Sequence, residues 1–433
     1  MSKTPIEKLL NPFHRFIHQE FTGGIVLFVS VVIAIVWANS AWSDSYHHLW
    51  ETKFSVSFAG KTLDYPLHIW INDGLMALFF FVIGLELKRE FRVGELSTAK
   101  KAALPMVAAL GGMLVPALIF TLINWNEPTQ KGWGIPMATD IAFALALLSL
   151  AGKRIPLSVK VFLSALAVAD DLGAVLVIAF FYTAQISFLP LLIAGLFLLA
   201  LALGNYLGVR SMTFYLVLGI AVWIGFLFSG VHATIAGVLV AFMIPARTKI
   251  DEKEFVDKAQ NYVSEFEQAI PLKGDLTTEE QHEIIQDIKS LCKDAETPLQ
   301  KLENNLHPWV AFVIMPLFAL ANAGMVVNGN FFGSLMNPVS IGVIAGLILG
   351  KFIGVFSFTW LMVRFKVAEL PEKANWTHVI GVSVLAGVGF TMSLFVTGLA
   401  FSDMEIIDQS KYGILTASVV CGVAGVFILK RSR

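Results

Sequence analysis

Residues 161–184 read VFLSALAVADDLGAVLVIAFFYTA, with Asp170 and Asp171 side by side in the middle of an apolar run. An aspartate at the centre of a membrane helix costs about 2.5–3.5 kcal/mol on insertion scales, and two cost roughly twice that. Nothing within the stretch offsets this. The bland alternative is a solvated acidic turn in a soluble protein, and the flanking apolar runs are too long for it. Acids kept at such depth point to an ion or proton pathway. Few other ionisable residues share that depth: Asp73, Asp140, His232 and Lys351.

Asp140 lies in GWGIPMATDIAFALALLSL. Pro136 has no N–H and Gly134 weakens a helix nearby, so a break is predicted here. A broken helix frees backbone carbonyls beside the carboxylate, and Thr139 adds a hydroxyl. That donor set suits a small hard cation, which takes oxygen ligands. A proline kink with Asp140 paired structurally is the competing reading. A second interruption falls in GVSVLAGVGFTMSLF, where Gly387 and Gly389 precede Thr391 and Ser393. Glycine-mediated helix packing explains that stretch equally well. Lys351, in GLILGKFIGVF, is the only mid-span lysine. Its economical partner is one of the paired aspartates. Adjacent helical residues point about 100° apart, so only one of the two can face it. Spacing does not say which.

Asp73 lies near the outer end of the second span, where it could line a cation entrance. His232, in SGVHATIAG, reads as a structural histidine near an interface. Glu86, Lys88, Arg89 and Glu90 end the second span and read as topogenic charge with local ion pairs.

These residues need a scaffold, and composition names its class. The chain has 433 residues, 56% hydrophobic and 15% charged, with a mean hydropathy of +0.72. Soluble domains run near 25% charged. Apolar runs of about 20 residues fit bilayer-spanning helices. The expected fold is an all-α polytopic membrane protein. Its spans are expected at 20–38, 66–87, 103–123, 133–151, 157–183, 188–207, 213–227, 231–245, 308–326, 339–363, 376–400 and 412–430. With both termini inside, the inner loops hold Lys88, Arg89, Arg92, Lys100 and Lys101, then Lys153, Arg154 and Lys160, then Arg210, Arg247, Lys249, Arg364, Lys366 and Lys373. Outer loops hold only Lys53, Lys61, Lys131 and Lys411. The positive-inside rule asks for that alternation. Lys3, Lys8 and Arg15 precede a first apolar run without a convincing cleavage site, which reads as a retained helix. Cys292 and Cys421 fall in unlike settings and imply neither a disulfide framework nor a metal cluster.

Two segments stand outside the membrane. Residues 52–64 alternate around Ala59–Gly60 and predict an extracytoplasmic β-hairpin, which is marginal alone and must lean on its own helices or on a second copy. Residues 251–303 form an acidic insert in which Ile284, Ile288, Leu291, Leu299, Leu302 and Leu306 recur at helical spacing. It reads as one or two amphipathic helices. The chain thus divides into 1–247 with eight spans, a cytoplasmic insert at 248–305, and 306–433 with four spans.

The stretches IPMATDIAFAL, FLSALAVADDLGAVLVIAFFYT, SGVHATIAGV, LHPWVAFVIMPLFALANAG and GVGFTMSLF resemble the NhaA sodium/proton antiporters over nearly the whole chain except 250–300. NhaA is itself one of the proteins from which the broken-helix rule for transporters was drawn, so the two interruptions and the resemblance do not count as independent pointers. The resemblance implies twelve helices with inverted three-helix repeats, and two crossing discontinuous helices at Asp140 and at Gly387–Thr391. It implies that Asp171 and Asp170 bind the cation and the protons, with Thr139 and Asp140 supporting the sodium site and Lys351 as the pairing lysine. It further implies electrogenic, pH-regulated export of sodium or lithium against inward protons. A bacterial inner membrane, a homodimer through hairpin 52–64, and no cofactor or enzymatic activity go with it. Glu86, Arg89, Glu90, Glu303 and His307 match positions tied to pH response. This chain departs from the family pattern at Asn304, where a histidine is expected, and in its long insert. Both bear on the pH set-point.

Two rivals are weaker. An intramembrane aspartyl protease needs acids facing each other from two helices to share a proton, which adjacent aspartates on one helix do not supply. A sodium-coupled symporter would need an organic-substrate site, for which the chain offers no obvious feature.

Overall fold

The computed structural model describes residues 20–58, 61–152, 155–183, 186–269, 276–326, 333 and 335–432. Lys3, Lys8, Arg15, Lys153, Arg154, Arg433 and the hairpin turn at Ala59–Gly60 lie outside the described residues. Apolar runs become helices, as a bilayer demands, because only a helix satisfies every backbone group within one segment. The chain is a polytopic, all-helical membrane protein. Among the described residues, eight helices are long and apolar enough to cross a membrane unbroken.

Helix α1 (Glu20–Ala38) is followed by the short α2 (Ser43–Glu51), turned 113° from it. Strands β1 (Lys53–Phe58) and β2 (Lys61–Pro66) pair antiparallel, with Val56 opposite Leu63. The hairpin runs two residues beyond the expected 52–64. It leans on the chain's own next helix: Trp70 Nε1 donates to the Phe54 carbonyl at 2.9 Å, and the two rings meet edge to face. That helix, α3 (Leu67–Val93), contains a π turn at Trp70–Leu75. Helix α4 (Ala99–Ile123) tolerates Pro105 and Pro116.

The fourth expected span is broken. A 3₁₀ segment (Pro128–Met137) and α5 (Ile141–Ala151) meet at 44° across Ala138–Asp140. The break follows Pro136 and does not sit at Gly134, whose N–H instead donates to the Tyr182 hydroxyl oxygen at 3.2 Å. Helices α6 (Leu157–Phe181), α7 (Phe188–Tyr206) and α8 (Met212–Ser229) come next. At eleven residues, α9 (Ala233–Met243) spans only about 16 Å, shorter than a hydrocarbon core.

The insert folds into two amphipathic helices, α10 (Glu252–Gln268) and α11 (Glu279–Ala295). Ile284 and Leu291 of α11 are buried. Helix α12 (Pro298–Asn322) begins ten residues before the expected span, so a boundary at 305/306 falls inside a continuous helix. A π turn at Val310–Ile314 lies within it. Insert and membrane part are joined at one seam. Leu299 N–H donates to the Pro245 carbonyl at 3.1 Å, Lys249 pairs with Asp294 at 2.8 Å, and Arg210 donates to the Glu296 carbonyl at 2.9 Å. The Lys249 ammonium, hydrogen-bonded to Asp294, holds that carboxyl below the usual carboxylate range.

Helix α13 (Pro338–Arg364) carries a third π turn, at Gly346–Gly350. The eleventh expected span is also broken: α14 (Trp376–Leu385) and α15 (Phe390–Ala400) meet at 41°. Helix α16 (Met404–Arg431) ends the fold.

Candidate functional site

The two broken helices meet at their breaks. Extended backbone at Asp140 donates its N–H to the Val388 carbonyl at 2.7 Å, and the Thr139 hydroxyl donates to the Ala386 carbonyl at 2.8 Å. Ser393 reaches back to the Ile135 carbonyl at 2.8 Å. Each break leaves backbone groups without helical partners, and the other break takes them up. Asp140 is the hub. One of its oxygens caps α5 through the Phe143 N–H at 3.0 Å. The other accepts the Thr391 N–H at 3.1 Å and the Thr391 hydroxyl at 2.5 Å. Its carboxylate therefore sits at two helix N-termini, whose partial positive charge favours an anion.

Helix α6 lies against this joint and brings in the paired acids. Asp170 faces α13, where Lys351 Nζ donates to its Oδ2 at 2.5 Å, and both side chains are fully buried. Thr139 approaches the same carboxylate. Asp171 points elsewhere. Both of its oxygens are buried with no hydrogen-bond partner among the described residues. It lines a cavity of about 350 Å³ together with Asp140, Thr391 and Ser164. The geometry thus separates two neighbours that spacing left equivalent.

The same cavity is lined further along by Glu86, Arg89, Glu303, Asn304 and His307. Arg89 binds Glu303 at 2.5 Å and Glu90 at 3.2 Å, with Glu86 at 3.9 Å. Glu90 accepts the Glu95 N–H and does not line the cavity. Among the described residues no three His, Cys, Asp or Glu side chains gather to hold a resident metal. Oxygen donors at the joint are instead hydroxyls, carbonyls and the carboxylates already named.

Other expected residues lie apart. Asp73 falls in the π turn of α3. Its carbonyl accepts the Trp223 Nε1 at 3.0 Å, and its side chain does not line the Asp171 cavity. His232 Nε2 bonds the Tyr182 carbonyl at 2.7 Å, tying the start of α9 to the end of α6. Lys88 is buried and donates to the Phe242 carbonyl at 2.6 Å and to the Ile244 carbonyl, so it caps the end of α9. Its sequence neighbours gave no sign of that. Ser164 escaped notice too, although it stands seven residues before Asp171 and hence on the same helix face.

Comparison with known proteins identifies the family. Residues 14–429 match the family model described as Na+/H+ antiporter 1. The chain is 48% identical to the Na(+)/H(+) antiporter NhaA 2 of Syntrophotalea carbinolica, over 98% of this chain and 97% of that one. It is 50% identical to the Na(+)/H(+) antiporter NhaA of Oleidesulfovibrio alaskensis, over 98% and 95%. It is 48% identical to the Na(+)/H(+) antiporter NhaA 1 of Psychromonas ingrahamii, over 96% and 95%. With two broken helices joined at an aspartate, a lysine-paired acid beside an unpaired one, and similarity along nearly its full length, the chain belongs to the Na+/H+ antiporter 1 family.

Proposed function

We propose that this protein exchanges sodium, and lithium, for protons across a bacterial inner membrane, exporting the cation and admitting more protons than cations leave. One observation carries the reading: Asp171 presents two unpartnered carboxylate oxygens to a cavity while Asp170, its neighbour, is held by Lys351. Carboxylates this close raise each other's proton affinity, and burial adds to it. Sodium and protons therefore compete for the same acids. Asp171 binds the cation first. Asp170 joins it by leaving Lys351, and Thr139 and Asp140 support the site from the joint. Two acids titrate against one monovalent cation, so a full cycle moves net charge.

The Lys- and Arg-rich loops favour both termini in the cytoplasm, which makes the cavity cytoplasmic. Arg89, Glu86, Glu303 and His307 on its wall, with Glu90 paired to Arg89 behind them, regulate exchange by pH, and Asp73 serves the opposite approach. Hairpin 53–66, with Phe54 and Val56 exposed, joins two copies. The test is sodium-dependent collapse of an imposed ΔpH in everted vesicles. Wild type dissipates the gradient on addition of sodium, and Asp171→Asn does not. Retention of normal exchange by Asp171→Asn would remove the assignment. Proton flux in the same direction as sodium in proteoliposomes would replace antiport by symport.

A further inference from the structure

Along helix α13 one line of fully buried side chains recurs every four residues. Val339, Val343, Leu347, Lys351, Val355 and Thr359 are each at most 1% exposed. An α-helix turns about 100° per residue, so a four-residue step drifts about 40° around its axis. Over the five steps from Val339 to Thr359 a regular helix would carry the stripe roughly 200° away from where it began. Here the stripe stays buried throughout. The π turn at Gly346–Gly350, closed by the Lys351 N–H on the Gly346 carbonyl, absorbs one extra residue and takes up roughly half of that drift.

The turn is seated on two prolines. A Cβ at Gly346 would stand 2.6 Å from Cβ of Pro136, just ahead of the break at Ala138–Asp140. A Cβ at Gly350 would stand 2.7 Å from Cα of Pro116 in α4. Neither neighbour can yield, since both are ring-constrained residues. The Leu347 carbonyl projects against Gly387 at the other break. The turn thus touches both broken helices on one side and presents Lys351 to Asp170 at its C-terminal end.

We infer that the π turn at Gly346–Gly350, locked on Pro116 and Pro136, sets the rotation that aims Lys351 at Asp170, so that Gly346 and Gly350 are positioning residues of the exchange site. This rests on the reading of the Asp170–Lys351 pair as part of that site. Removing one residue from the turn restores α geometry and swings Lys351 about 100° off Asp170. Any movement of the joint at Asp140 and Gly387 likewise reaches Lys351 through the turn.

The test has two readouts. The first uses Asp170→Cys with Lys351→Cys in a background carrying Cys292→Ser and Cys421→Ala, joined by a short bis-methanethiosulfonate cross-linker in membranes. Deletion of Leu349, an outward-facing residue of the turn that is 54% exposed, and separately Gly350→Ala, should each cut the cross-linking yield at least tenfold. Gly342→Ala is the control. It crowds Asn124 and Phe120 in the same glycine stripe, one turn before the π segment, and should leave the yield within twofold. The second readout, with Asp170 and Lys351 intact, is the pH profile of sodium-dependent ΔpH collapse. Gly350→Ala should move its midpoint by half a unit or more, and Gly342→Ala should not. A yield within twofold of the parent in Gly350→Ala or the Leu349 deletion overturns the inference. So does loss of Gly350→Ala protein from the membrane when Gly342→Ala accumulates, because a packing role then suffices. Absence of any sodium effect on ΔpH in wild type would instead defeat the exchange reading and leave the cross-linking result standing.

Discussion

Thr391 gives both its backbone N–H and its hydroxyl to a single oxygen of Asp140, at 3.1 and 2.5 Å. The first turn of α15 is thereby tied to the cap of α5, and the two breaks become one joint. A hydrogen bond to a charged group contributes about 1.5–3 kcal/mol. Thr391→Ala should therefore weaken apparent sodium affinity by roughly tenfold or more, while Thr391→Ser, which keeps the hydroxyl, stays near wild type. Sodium titration of ΔpH collapse in everted vesicles reads the difference. Equal affinities in the two variants would show that the hydroxyl does nothing for the site.

Lys351 and Asp170 are both fully buried, so neither tolerates loss of the other. Lys351→Met strands a buried carboxylate, at a cost of about 3–5 kcal/mol. The melting temperature of the purified protein in detergent should fall clearly. The double variant Asp170→Asn/Lys351→Met removes both charges and should recover most of that loss, without recovering exchange. Should the double variant be no more stable than Lys351→Met alone, the pair is not the source of the cost.

Glu303 holds Arg89 at 2.5 Å on the wall of the cavity that contains Asp171. Like charges raise one another's proton affinity and opposite charges lower it. Glu303→Gln deletes a negative charge and frees the guanidinium toward Glu86, and both changes favour ionised acids in the cavity. The pH midpoint of exchange should move to lower pH, by on the order of half a unit. An unmoved or alkaline-shifted midpoint would separate this cluster from pH response.

Asp294 titrates below its usual range because Lys249 hydrogen-bonds its ionised form. A carboxyl with a lowered folded pKa stabilises above the unfolded value, near 3.9, and loses that contribution as pH falls through the folded one. Docking of the insert should loosen only below about pH 4. Limited proteolysis of residues 252–295 with an acid-active protease should accelerate there. In Asp294→Asn the acid-side step should be gone, with slightly faster cleavage already at neutral pH.

Much of the architecture was legible beforehand because membrane helices announce themselves by composition. Apolar length located the spans. Boundaries were clear where the apolar run alone makes the helix, as at Phe188–Tyr206. They failed where a helix continues beyond the apolar run: α12 starts at Pro298 because Thr297 caps it, not because the sequence turns greasy there. The π turns left no trace in hydropathy. The one in α13 is visible only as a four-residue burial repeat, which needs the packed structure to be read.

The site divides in the same way. Sequence alone singled out the residues proposed to bear the chemistry: Asp140, Asp170, Asp171 and Lys351 are too costly at mid-span to be incidental, and proline and paired glycines mark where helices break. The tertiary structure decided who partners whom. Asp170 meets Lys351, Asp171 meets open volume, and Asp140 meets Thr391 from a segment some 250 residues away. Insertion cost belongs to a residue and its segment, so one dimension records it. Partnership depends on the rotation of each helix about its axis, which only the packing of α6, α13 and the two breaks against one another sets.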